Sequence, residues 1–183
     1  MSFVSHGINL LMAYKKKRYI NGLVARGMKL GKNVLIVDTF FFDPSHCYLI
    51  SIGDNCTICP NVRLIAHDAS IKKHLGYTKF GKIDIKENCF IGDSTIILPN
   101  VTIGAHSIVG SGSIVTKSIP PHTVAAGNPA KPICSLEEYL LKIKSLVTDE
   151  TKIFGEDYEI GNLNASKRKE LLDAVENSIG FIK

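Results

Sequence analysis

Long hydrophobic runs are missing from this 183-residue chain. No apolar stretch approaches the roughly 20 residues of a membrane-spanning helix. No secretory leader is expected, and the five cysteines (Cys47, Cys56, Cys59, Cys89 and Cys134) are an odd number. Both point to a reducing cytoplasm rather than a disulfide framework. Cys56-Thr-Ile-Cys59 has the spacing of half a zinc or redox site, but a second such pair is absent. Concentrated charge is also scarce. The net charge is +5, and its basic residues scatter except in Lys15-Lys-Lys-Arg18 and Lys167-Arg-Lys169. Both runs fall in predicted helices, where a solvated face accounts for them. Nucleic-acid binding is therefore not expected, and a small anionic ligand suits the positive excess equally well. The length allows one domain with appendages, and a 45% hydrophobic fraction is ordinary for a packed protein.

What is present is a period of six. From Ile85 to Pro120 the chain reads Ile85-Lys-Glu-Asn-Cys-Phe, Ile91-Gly-Asp-Ser-Thr-Ile, Ile97-Leu-Pro-Asn-Val-Thr, Ile103-Gly-Ala-His-Ser-Ile, Val109-Gly-Ser-Gly-Ser-Ile and Val115-Thr-Lys-Ser-Ile-Pro. Every block opens with Ile or Val. Gly92, Gly104 and Gly110 hold second positions, and the fifth is mostly small: Cys89, Thr95, Val101, Ser107, Ser113. Six fits neither a helix nor simple strand alternation. It fits a solenoid of short strands and tight corners, three sixes to a triangular coil. The opener and the small fifth residue face the axis, and the glycine is expected to relieve backbone strain near the corner. Upstream, Ile52-Gly-Asp-Asn-Cys-Thr, Ile58-Cys-Pro-Asn-Val-Arg and Leu64 keep the register. Cys56 and Cys89 then occupy fifth positions as small apolar fillers.

Residues 8–26 read as a helix, with Gly27 as its stop, capping the open solenoid end; an interfacial membrane helix is the rival role, and membrane association is not expected. Leu30-Gly-Lys-Asn-Val34 begins an irregular pair of coils, broken by Phe40-Phe-Phe-Asp-Pro-Ser-His46. Three consecutive aromatics overfill a narrow interior, so some are expected to face a neighbouring subunit or a substrate. From Leu64 the register runs to Ile65-Ala-His-Asp-Ala-Ser70, stops, and resumes at Ile85, 21 residues after Leu64 where 18 would have kept it. Three residues are thus surplus, and the segment 68–82 is expected to be an exposed, functional loop. Pro and Gly density after Lys117 ends the solenoid. Ser135-Leu-Glu-Glu138 is a capping box opening a helix to about Val147. Residues 149–164 read as loop. Asn164 caps a second helix over 165–178, with Leu171, Leu172, Val175 and Ile179 as its apolar stripe. The domain division is therefore 1–28 as helical cap, 29–133 as solenoid with its inserted loop, and 134–183 as helical extension.

The hexads, the interrupting loop after Ala66-His67-Asp68, the run Gly110-Ser-Gly-Ser-Ile-Val-Thr-Lys117 and the closing Ala126-Gly-Asn-Pro-Ala-Lys131 together resemble the hexapeptide-repeat acyltransferases. Within these the match is to the maltose, galactoside and serine O-acetyltransferase superfamily, and Ala-His-Asp-Ala-Ser resembles the branch acting on sugars in cell-surface polysaccharide synthesis. The resemblance covers about Ile50 to Ile133. It implies a mainly β fold, a left-handed parallel β-helix with helices at both termini, although parallel crossovers are otherwise nearly always right-handed. It also implies a homotrimer with acetyl-CoA, the acyl donor, in a groove between two prisms. Carried over residue by residue, it implies His67 as catalytic base and Phe90 beside the cofactor arm, where galactoside enzymes carry Trp. Asp93 and Ser111 fall along the pantetheine path, Thr116 and Lys117 at the nucleotide end, and Lys131 where an Arg meets phosphate. Asp93 departs from a Ser seen in relatives. Lys131 departs from Arg and grips phosphate as a point charge without a bidentate fork.

The implied reaction is acetyl transfer to a hydroxyl of a sugar, a nucleotide sugar or a polysaccharide precursor. A hydroxyl is a poor nucleophile at neutral pH, so a His that takes its proton contributes about 10²–10⁴-fold. A backbone N–H would steady the oxyanion. Asp68 is adjacent to His67 but points to the other side of an extended segment. A carboxylate or carbonyl from a neighbouring coil suits the orienting role better, and Asp43 is the carboxylate chosen. His46 is read as a substrate contact, with a local turn role as its alternative. His74 is assigned to loop surface, and His106 and His122 carry no assigned role. A carbonic-anhydrase-type zinc site would need three histidines converging across coils, and no metal is assigned. The alternatives kept are a serine or amino-sugar acetyltransferase and, in another class, an inactive trimeric scaffold.

Overall fold

A short strand followed by a sharp corner, repeated every six residues, winds residues 29–135 into a three-faced parallel solenoid. The computed structural model describes residues 3–148, 151–176 and 179–183, with side chains from residue 13 onward. Two compact units divide the chain, the first ending at Glu137 and the second beginning at Glu138.

The first face stacks Lys29–Leu30, Ile50–Ile52, Ile83–Ile85 and Val101–Ile103. The second stacks Leu35–Ile36, Thr57–Ile58, Phe90–Ile91, Ile108–Val109 and Thr123–Gly127, closed by an antiparallel strand, Ala130–Ser135. The third stacks Phe40–Phe42, Val62–Leu64, Ile96–Ile97 and Ile114–Val115. Within the three faces the strand pairs are otherwise parallel, with openers in line: Ile36 on Ile58 on Ile91 on Val109, and Phe42 on Leu64 on Ile97 on Val115. These openers are buried, as are Cys56, Cys89, Thr95, Val101, Ser107 and Ser113 at fifth positions. The polar ones also satisfy corner carbonyls that the broken ladder would leave alone. Ser107 Oγ donates to Pro120 O at 2.8 Å, Cys56 Sγ to Lys86 O at 3.0 Å and Cys89 Sγ to Gly104 O at 3.1 Å. The fifth position thus selects small residues, and among small ones those with a donor.

The corner itself turns at the fourth position. Asn33, Asn55, Asn61, Asn88, Ser94, Asn100, His106 and His122 all have φ between 54° and 63°. Asn tolerates this left-handed region better than most side chains, which explains its recurrence there. The glycine reading therefore needs correction. Second-position glycines are not strained; they lie where the next coil passes too close for a side chain. A Cβ on Gly104 would stand 2.2 Å from Pro121 N, and one on Gly92 2.5 Å from Ser111 N.

Two departures that lengthen the period fall on successive coils at one edge, and a later one shortens the expected block Val115–Pro120 to four residues, since Ile119 is buried and bridges Ile103. Phe42 and Ile52 are successive inward openers ten residues apart rather than six, so four residues bulge out after the third face. Leu64 and Ile85 are likewise successive openers, 21 apart, and since six would suffice, 15 residues leave the coil. The expected surplus of three came from assuming a whole coil between them. The excursion is an antiparallel ribbon, His67–Asp68 against Lys79–Phe80, joined through a helical turn, Lys72–Leu75.

Helix α1, Phe3–Ala25, ends before Gly27 (φ 104°) and packs its C-terminal half on the first coil. Leu23 is fully buried, the Tyr19 ring meets Phe40 at 5.8 Å, and the Arg26 guanidinium donates to Pro44 O at 3.1 Å. This divides the aromatic run: Phe42 fills the core, Phe40 lies under α1, and only Phe41 faces out, with Arg63 over its ring at 5.2 Å. Among the described residues no helix is long and apolar enough to cross a membrane.

A helix of nine residues, Leu136–Lys144, leads from the first unit into the second and stops three residues short of Val147. The second unit also contains the helix Ala165–Ala174, whose cap Asn164 accepts from Lys167 N at 2.9 Å. It ends at Ala174 with Val175 as its C-cap, short of the expected Ser178; Asn177 and Ser178 lie outside the described residues, as do Asp149 and Glu150 of the expected loop. Leu172, Val175 and Ile179 are exposed, so the expected stripe is not a buried face. Instead Phe154 is the buried residue, on a parallel pair of Ile153–Phe154 with Phe181–Ile182 that the sequence reading did not include.

Candidate active site

Both departures leave the third face at the same edge, and this brings distant residues together. Asp43 directly follows Phe42, and its amide donates to Leu64 O at 2.9 Å. Its carboxylate is buried. Oδ1 accepts from Ser45 N at 3.0 Å and His46 N at 3.3 Å, an Asx turn that shapes the four-residue bulge. Oδ2 accepts from Ala66 N at 3.2 Å and hydrogen bonds with His67 Nδ1, 24 residues away. Burial pushes the Asp43 carboxyl up. The hydrogen bond and charge of His67, with the amides of Ser45 and His46, outweigh this and hold it below its ordinary value. A carboxylate on Nδ1 fixes the imidazole orientation and leaves Nε2 to accept a proton.

Asp68 does not share in this. It turns away to Lys79 Nζ at 2.6 Å, across the ribbon, and to Ser70 N at 2.8 Å. The Lys79 hydrogen bond, with that of Ser70, holds its carboxyl well below the usual range. The pair braces the ribbon that carries His67, as does Gly81 N donating to Ala66 O at 3.0 Å.

His46 lies in the bulge with its ring 4.7 Å from that of His67. Its Nδ1 is buried, 3.8 Å from Asp43 Oδ2, and has no hydrogen-bond partner among the described residues. Asp43, His46 and His67 present ligand-type atoms within 4.8 Å of one another, the donor types of a two-His, one-carboxylate metal site. Asp43 and His67 are, however, in direct hydrogen-bond contact, which leaves no space for an ion between them.

The remaining singled-out residues lie along two edges. Thr116 and Lys117 follow Ile114–Val115 on the third face, the same edge as His67 and two strands along, about 10 Å at the usual strand spacing. Both are exposed. Phe90, 42% exposed, stands outward on the second face. Asp93 and Ser111 turn the next edge one above the other, with Gly112 N donating to Asp93 O at 2.7 Å. Lys131 is exposed on the closing antiparallel strand. A single chain therefore gathers Asp43, His46 and His67 in one cluster and leaves Phe90, Asp93 and Ser111 on another edge.

Sequence reasoning missed two neighbours of the cluster, Phe80 and Tyr48. The Phe80 ring stacks near His46 at 6.2 Å and 18°, and the Tyr48 ring lies 5.9 Å from it. No local sequence signal marks them, because the pairing of His67 with Phe80 exists only once the excursion folds into a ribbon. His106 and His122, without a role in the sequence reading, stack at 4.8 Å and 6° as successive corner residues.

Comparison with known proteins bears on this arrangement. The family model described as bacterial transferase hexapeptide (six repeats) matches residues 82–117. Protein CapG of Staphylococcus aureus is 41% identical over 141 residues, covering 70% of this chain and 81% of CapG. Galactoside O-acetyltransferase of Escherichia coli (strain K12) is 38% identical over 118 residues, 63% of this chain and 54% of the enzyme. Among solved structures, a maltose O-acetyltransferase from Clostridium difficile 630 is 30% identical with a TM-score of 0.46, covering 58% of this chain and 68% of that one. The chain spans about half the length of some curated relatives it matches: 54% of the galactoside enzyme and 55% of an acetyltransferase relative from Schizosaccharomyces pombe. With four-fifths of CapG matched at 41% identity, and hexads stacked in register on three faces, the chain belongs to the bacterial transferase hexapeptide family.

Proposed function

We propose that this protein transfers an acetyl group from acetyl-CoA to a sugar hydroxyl, working in the cytoplasm as a homotrimer of left-handed β-helices. The observation that carries the reading is the buried Asp43 carboxylate against His67 Nδ1, at the one edge where two successive coils open. Kinship to a galactoside O-acetyltransferase supports acetyl transfer and the acceptor class.

In this reading His67 Nε2 takes the proton of the acceptor hydroxyl as its oxygen attacks the thioester carbonyl. The C–O bond forms, and a backbone N–H in the groove steadies the oxyanion. The tetrahedral intermediate collapses, the C–S bond breaks, and the CoA thiolate takes the proton back from His67. No enzyme-bound acetyl intermediate is needed. Asp43 holds the imidazole and steadies its positive charge. Lys117 and Lys131 grip the donor's phosphates, with Thr116 beside them. Phe90, Asp93 and Ser111 of an adjacent subunit line the pantetheine path, which accounts for their lying on another edge. His46 contacts the acceptor.

The test is to incubate the protein with acetyl-CoA and a panel of sugars, nucleotide sugars, amino sugars and serine, and to follow free CoA thiol. Release with a sugar or nucleotide sugar, and an ester in the product, is expected. Release only with serine or an amino group would replace the acceptor class, and no release with any acceptor would favour a scaffold.

A further inference from the structure

Phe80 is 67% exposed, which is unusual for a phenylalanine held in a paired strand rather than at a chain end. It is the direct cross-strand partner of His67 in the antiparallel ribbon. Directly opposed residues project their side chains on the same side, with Cα atoms about 4.5–5.5 Å apart. The Phe80 and His67 side chains therefore leave the ribbon on the same face, and the His46 ring lies near each of them, 4.7 Å from His67 and 6.2 Å from Phe80. On one side the Phe80 ring is backed by His46, 6.2 Å away and within 18° of parallel. The ribbon beneath is braced by the Lys79–Asp68 ion pair, so the ring is held rather than swinging on a free loop.

We infer that Phe80 is the platform for the acceptor, and that the acceptor is a pyranose whose apolar C–H face lies on this ring while a hydroxyl at its edge reaches His67. This rests on the acetyl-transfer reading and narrows its acceptor. A flat, exposed aromatic beside a proton-accepting His matches a molecule with one apolar face and a polar rim. Serine offers no such face.

The chain contains no tryptophan, which makes an activity-independent test available. Phe80→Trp places a single fluorophore at the platform. Adding methyl β-galactoside should shift its emission. Galactitol, with hydroxyls but no rigid ring face, should not. In steady-state assays Phe80→Ala should raise KM for methyl β-galactoside about tenfold, leave KM for acetyl-CoA unchanged and keep the parent assembly state. Phe80→Tyr should stay within about twofold of the parent. An emission shift without acetyl transfer to any acceptor keeps the platform and removes the transferase reading. Acetyl transfer to the glycoside with an unchanged acceptor KM in Phe80→Ala, and no shift in Phe80→Trp, overturns the platform while the transferase reading stands. A Phe80→Ala protein that loses its parent assembly also overturns it, making Phe80 an interface residue, and failure of both emission and transfer overturns both.

Discussion

Asp43, and not the sequence neighbour Asp68, is the carboxylate that hydrogen bonds to His67 Nδ1. It does so from the preceding coil, buried, with three backbone amides also donating to it. Replacing it tests orientation without removing the base. Asp43→Asn keeps the shape but presents an amide to Nδ1, which favours the wrong tautomer. Turnover is expected to fall between about 10²- and 10⁴-fold with KM for acetyl-CoA unchanged. A turnover within a few-fold of the parent would mean that Asp43 only shapes the bulge.

The same residue ties stability to pH. Its carboxyl is held below its ordinary value in the folded chain, where the unfolded chain returns it to about 3.9. A depressed carboxyl stabilises the fold above the unfolded value, and that contribution is lost as pH falls through the folded value. Thermal melts from pH 7 down to 3 should therefore show the parent losing more stability below about pH 4 than Asp43→Asn does. Parallel losses would show that folding does not hold the Asp43 carboxyl below its ordinary value.

Coil-to-coil closeness, rather than backbone strain, makes the second-position glycines necessary. Gly104→Ala must push Pro121 away, and a loss of about 1–3 kcal/mol or more is expected in chemical denaturation. Gly112 is the contrasting case: it holds a fourth position at φ 70° with nothing near its missing Cβ. Gly112→Asn should be close to neutral, since Asn88 and Asn100 already occupy that slot. A tolerated Gly104→Ala would contradict the packing account.

How much of this the chain disclosed before folding depends on the period. Ile and Val openers and small fifth residues follow from the three-walled interior, so the solenoid and the burial of Cys56 and Cys89 were legible. The corner chemistry was present as Asn, Ser and His at fourth positions but was overlooked in favour of the more familiar glycine. The excursion was visible, yet its size depends on which opener stacks on which: Ile85 lies on Ile52, and only that pairing gives 15 rather than three. The contact of Asp43 with His67 likewise needs the four-residue bulge and the excursion to share an edge, a relation between coils that no local pattern carries. The pairing of Ile153–Phe154 with Phe181–Ile182 was hidden because two-residue strands have no periodicity.

The donor site has its own test in Lys117. A phosphate-gripping Lys contributes alike to ground and transition states, so Lys117→Ala should raise KM for acetyl-CoA with little change in kcat at saturation. An unchanged KM would make Lys117 ordinary solvated surface. Sedimentation complements it: the divided site expects a mass of three chains, and a stable monomer at micromolar concentration would remove the shared groove.

The central claim is that His67 is the general base, and His67→Ala tests it most directly. The protein should fold, assemble and bind acetyl-CoA as the parent does, because a ring about one-third exposed on an excursion contributes little packing and the buried Asp43 carboxylate keeps three backbone amide donors. Its turnover should fall about 10²–10⁴-fold, and His67→Asn should not restore it, since an amide does not accept the proton. A His67→Ala protein that binds acetyl-CoA and still acetylates its acceptor within a few-fold of the parent rate would contradict the mechanism and move the search to His46.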